Sequence, residues 1–88
     1  MNIKKSLLNG RSFPILLKQL AIQVEDIRIT DEDTILQRQQ NEIFKENIHI
    51  EGRNAAGLIN LFGTLHCNTL DQLAVFEMKS FERINDAS

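Results

Sequence analysis

The sequence predicts a small single-domain α+β protein, mainly helical, with about four helices and at most a short two-stranded ribbon. Three observations carry that expectation. Apolar residues between Phe13 and Val24 recur at three- and four-residue steps. Several apolar runs are preceded by residues that cap helices. Residues 54–76, NAAGLINLFGTLHCNTLDQLAVF, hold one formal charge, Asp71, in a chain that is 25% charged. A stretch that avoids charge for so long is buried, in the protein's own core or against a partner, because an unpaired charge is expensive to take out of water.

The elements follow in order. Residues 1–11 lack caps and a clear period, and read as a flexible basic arm ending near the turn signal Asn9-Gly10. Ser12 is placed to cap a helix over 12–21, with Pro14 in the first turn, where its missing N–H does no harm. Phe13, Leu16, Leu17, Leu20 and Val24 share one face of it. An extended stretch over 23–29 follows, where Ile27 and Ile29 flank Arg28. Thr30-Asp-Glu-Asp33 starts a second helix, over 31–46, with acids where the helix dipole favours them. Its Gln and Glu content suits a helix, and its few apolar residues keep it on the surface.

Residues 47–51 alternate and end at Gly52, which reads as a short strand able to pair with 23–29. A lone ribbon is marginal unless something covers one face, and the uncharged segment is the expected cover. That segment reads as a helix capped by Asn54, with Ala55, Leu58, Ile59, Phe62 and Leu65 on one face. Gly57 and Gly63 within it are read as packing positions; their spacing of six is not that of a tight helix pair. His66-Cys67-Asn68 is the break. Thr69-Leu-Asp-Gln72 then repeats a capping pattern before a last helix to about residue 84, with a strand over 73–78 as the competing reading, since Val75 and Phe76 favour strands. Residues 12–85 are the globular domain and 86–88 fray.

Composition bounds the function. The 88 residues bury roughly 60–65% of the surface an unfolded chain exposes. With 42% hydrophobic residues the chain is not disordered. Phe supplies all the aromatic content, leaving little stacking surface for single-stranded nucleic acid. Cys67 is the only cysteine, so no intrachain disulfide forms. The N-terminal residues offer no apolar signal core, and no run of about 18 apolar residues spans a bilayer. A soluble, reducing, cytoplasmic setting is the expectation. Net charge is −2, but its distribution is uneven. Lys4, Lys5, Arg11 and Lys18 precede every acid, whereas Glu25, Asp26, Asp31, Glu32 and Asp33 cluster after them. The basic group offers anion or nucleic-acid contacts.

Little in the sequence specifies a reaction. His49, His66 and Cys67 do not make a spaced tetrahedral set, so no metal site and no cofactor is expected. Neighbours in sequence diverge, so His66 does not activate Cys67. Arg53 beside a helix start makes at most a weak anion site. A helix-turn-helix with its turn at Gly63 would lack basic or base-reading residues at the start of its second helix.

Ile48-His-Ile-Glu-Gly-Arg53 followed by Leu58-Ile-Asn-Leu-Phe62 resembles the strand, turn and helix in the second half of HPr-type phosphocarrier proteins. It covers about a fifth of the chain. No histidine stands near Thr30, the equivalent of the phosphorylated position, so the resemblance does not carry that activity.

The expected function is therefore binding. A small non-enzymatic regulator, inhibitor or adaptor would act on another protein through an apolar interface, as a homodimer or higher oligomer. Leu58, Leu61, Phe62, Leu65, Val75 and Phe76 are the expected interface residues. The alternative is a nucleic-acid-associated transcriptional regulator that uses the basic arm.

Overall fold

A computed structural model describes residues 3–10, 12–32, 35, 43–68, 70–71 and 73–85, without the side chains of Phe44 and Asn85. Two short helices, α1 (Ile3–Leu8) and α2 (Ser12–Gln19), precede strands β1 (Arg28–Ile29), β2 (Ile43–Asn54), β3 (Gly57–Asn68) and β4 (Leu73–Asn85). The strands form one antiparallel sheet in the order β1-β2-β3-β4, a meander in which each strand pairs with the next. The protein is mainly sheet, not mainly helical.

The correction begins at β3. Both halves of the uncharged segment were expected as helices, and both are strands. β3 is held between β2 and β4 along all 12 of its residues; its helix-side face is buried throughout, and on the other face Asn60 and Thr64 are buried. Leu58 and Phe62 stand on that second face while Gly57 and Gly63 stand on the covered one, which is why alternation is hard to see in it. Leu58–Phe62, the helix in the phosphocarrier resemblance, lies in this strand, so that resemblance does not extend to the fold.

Asn54 makes the turn before β3. Its Oδ1 accepts the Ala56 N–H at 2.9 Å, and its Nδ2 donates to the Leu20 carbonyl at 2.7 Å. Gly57 takes a φ of 135°, a conformation side chains resist. Asn68 repeats the device before β4, its Oδ1 accepting from Leu70 at 3.0 Å and Asp71 at 3.3 Å. An Asx oxygen that bonds a nearby downstream N–H serves a turn as well as a helix cap.

The helix expected over 12–21 is α2, Ser12–Gln19. It ends in a Schellman arrangement: Ile22 N–H donates to the Leu17 carbonyl at 2.9 Å and Ala21 N–H to Lys18 at 3.2 Å. Ala21 occupies the left-handed position, with φ 56°. The extended stretch expected next contains a 3-10 turn, Val24–Asp26, and then β1, which pairs with β2 through Arg28–Glu51 and Ile29–Ile50. Of the helix expected over 31–46, Ile35 N–H donates to the Asp31 carbonyl at 3.0 Å. Residues 33–34 and 36–42 lie outside the described residues, and 43–46 open β2 instead.

Partners in register share a face of the sheet. Ile48, Ile50, Ile59, Leu61, Leu65, Cys67, Ala74 and Phe76 form the face beneath the helices, and all are buried. Ile3 and Leu7 of α1 and Phe13 and Leu17 of α2 close over them, with Phe13 edge-on to Phe76 at 6.2 Å. The stretch expected as an arm thus carries two fully buried core residues. No helix among the described residues is long and apolar enough to cross a membrane.

Candidate functional site

The other face of the sheet carries the polar chemistry. Register places it in rows: Lys45–His66–Val75, Asn47–Thr64–Glu77, His49–Phe62–Ser80, Glu51–Asn60–Glu82 and Arg53–Leu58–Ile84. These side chains meet because strand periodicity sends every second residue of each strand to this side.

His49 is the best-held member. Its ring stacks on Phe62 at 4.8 Å and 10°, and its Nε2 lies 2.8 Å from Asn60 Oδ1. An amide oxygen only accepts, so Nε2 carries the proton in this contact. Asn60 is 9% exposed and Thr64 5% exposed; Thr64 donates to Asn47 Oδ1 at 3.4 Å. Further along, Glu77 accepts from Lys79 at 2.8 Å and from His66 at 3.3 Å. These two contacts, Lys79 first, hold its carboxyl below the ordinary glutamate range.

A shallow depression of about 370 Å³ lies among Asp31, Asn47, His49, Phe62 and Lys79. Its imidazole is oriented by an amide, not by a carboxylate. Among the described residues no group of three or more His, Cys, Asp or Glu could hold a metal ion. Cys67 is buried on the helix-covered face, away from this chemistry, and burial pushes its thiol pKa up. A buried thiol with a raised pKa is a poor nucleophile.

The expected interface residues divide by strand parity. Leu61, Leu65 and Phe76 face the helices and are 0%, 0% and 4% exposed, so in the single chain they lie in the core. Phe62 and Val75 are exposed on the second face, and Leu58 is half-buried at the end of that face far from Val75. Sequence reasoning missed Met78, Phe81 and Ile84 as surface residues. Alternation in β4 runs only from Leu73 to Glu77, ahead of the bulge, and gave no signal for them.

The expected anion contacts do not form a free arm. Lys4 and Lys5 stand on α1, where the Lys4 ammonium approaches the Ile27 carbonyl at 3.5 Å; Lys18 is exposed near the end of α2. Arg11 lies outside the described residues.

Fold and site together define a mainly-sheet protein, an antiparallel meander with two short helices on one face and mixed polar and apolar rows on the other. No protein-family model, curated protein or solved structure matches the chain.

Proposed function

We propose that the protein works by binding another protein, as a small non-enzymatic regulator, inhibitor or adaptor that also self-associates, in a cytoplasmic setting. The observation that carries this reading is the exposure of apolar side chains along β4. Leu73, Val75 and Ile84 on one face and Met78 and Phe81 on the other are each at least 36% exposed. Scattered exposed apolar residues are ordinary, but a series of them along one edge strand, on both faces, favours an interaction surface. The His49 ring is held by an amide and the Cys67 thiol is buried on the opposite face, an arrangement that favours binding over catalysis.

The test is capture from native lysate with the wild-type chain and with a Val75→Lys/Ile84→Lys variant as bait. Both substitutions fall on exposed positions, and circular dichroism checks that the variant folds. A partner retained by the wild type and reduced about tenfold or more by the variant is expected. Equal capture by the two baits would count against the reading.

A further inference from the structure

We infer that β4 pairs antiparallel with β4 of a second copy about a two-fold axis passing between Lys79 and Ser80, joining two sheets into one. The inference rests on the binding role proposed above and names its surface and its partner.

β4 is the last strand of the sheet, so alternate N–H and C=O groups along its 13 residues face away from β3. What makes this edge selective is its bulge. Phe62 pairs with Ser80 and Gly63 with Met78, so Lys79 is an extra residue with no partner in β3. Before it, Ala74, Phe76 and Met78 face the helices; beyond it, Phe81 and Arg83 do. Lys79 itself lies on the second face, bonded to Glu77 and bordering the depression with His49 and Phe62.

Directly opposed residues of an antiparallel pair share a face. In an unbulged strand many two-fold registers satisfy that rule. Here the change of parity leaves one that satisfies it along the whole strand: 79 opposite 80, 78 opposite 81, 77 opposite 82, 76 opposite 83 and 75 opposite 84. Other registers either set a helix-side residue against a second-face residue near the axis or pair only one half of the strand.

The side chains fit that register. Met78 meets Phe81 of the second copy on the helix side, a sulfur–aromatic pairing. Val75 meets Ile84 on the second face. All four are exposed in the single chain. A cavity of about 330 Å³ between α2 and β4, lined by Ile15, Leu16, Gln19, Phe76 and Met78, opens beside the position Phe81 of the second copy would take. Glu77 faces Glu82 across the boundary. Lys79 offsets that repulsion: it bonds Glu77 at 2.8 Å and stands diagonal to Glu82 of the second copy, within reach of a long side chain. Val75–Ile84 and Met78–Phe81 thus place apolar side chains against each other on both sides of the axis, the self-complementarity an isologous contact requires.

Two measurements test this. In sedimentation velocity the wild-type chain should dimerise at micromolar concentration, and Phe81→Lys should weaken dimerisation about tenfold or more. Under mild oxidation a Val75→Cys/Ile84→Cys variant should form a crosslinked dimer, and neither single variant should. In this register like positions lie about 30 Å apart, as do residues 75 and 84 within one strand. A crosslink in either single variant, or none in the double variant, would overturn the register even if Phe81→Lys fails to fold. A wild type that stays monomeric overturns the self-pairing. If β4-dependent capture from lysate persists in that case, the binding role survives alone; if it is lost as well, both fall.

Discussion

Leu61 and Phe62 are neighbours in β3, yet they belong to two different kinds of surface. Leu61 points under the helices and is fully buried among aliphatic side chains; Phe62 points the other way, 38% exposed and stacked on a histidine. The helix-covered face is apolar along the centre of the sheet and is filled by six elements of the chain, α1, α2 and the four strands. The other face mixes amides, hydroxyls, two histidines and charged residues with apolar Phe62 in its middle and apolar residues at its ends. The same strand therefore serves stability on one side and keeps chemistry and stickiness on the other.

The comparison breaks most severely at Gly63. A Cβ there would run into the Glu77 carbonyl oxygen and stand 2.8 Å from the Phe76 ring, because the bulge turns the β4 backbone over this position. Backbone cannot step aside cheaply, so Gly63→Ala is expected to lose about 3 kcal/mol in urea unfolding, a large part of a small domain's stability. Gly52→Ala is the control. Its Cβ would meet the Ile22 Cδ1 at 2.9 Å, the far end of a flexible side chain, and about 1 kcal/mol is expected. Equal losses would show that the bulge does not pin Gly63.

Truncation of the two neighbours in β3 tests the faces directly. Leu61→Ala leaves a cavity in a closed core and should cost about 3 kcal/mol. Phe62→Ala removes a larger side chain but one that is partly in water, and about 1–2 kcal/mol is expected, including the lost stack on His49. A Phe62→Ala loss equal to that of Leu61→Ala would mean the second face is packed as tightly as the first.

What could be read in the sequence follows from the same two faces. The α2 helix was legible because one of its sides is wet, so its period survives. The strand at 47–51 was legible because Asn47, His49 and Glu51 alternate with Ile48 and Ile50. β3 was not, because apolar Leu58 and Phe62 stand on its second face while Gly57 and Gly63 stand on the covered one, which blurs its alternation. β4 was misread for a sharper reason. The extra residue Lys79 breaks the two-residue period, so that Ala74, Met78 and Phe81, all on one face of a strand, fall four and three apart like a helix stripe. The cap-like residues misled for a related reason. Asn54 does bond a downstream N–H as a cap would, but it closes a hairpin. Local hydrogen-bond chemistry was read correctly at that residue; the element it starts is decided by pairing partners far along the chain. The interface residues suffered in proportion. Helical spacing grouped Leu65 with Leu58 and Phe62, and strand parity separates them.

The smallest effect lies at the rim of the covered face, where α2 ends. Ala21 sits at φ 56° because the Schellman bonds to Leu17 and Lys18 turn the chain sharply enough to bring Ile22 under the helix. A left-handed conformation strains any residue with a Cβ by about 1 kcal/mol, and glycine avoids that strain. Glycine also loses more backbone freedom on folding, which returns part of the gain. Ala21→Gly is therefore expected to raise stability by about 0.5 kcal/mol, read as a small upward shift of the urea midpoint at unchanged slope. If the midpoint falls instead, the turn after α2 is held by the side chain at this position and not by the backbone bonds that follow it.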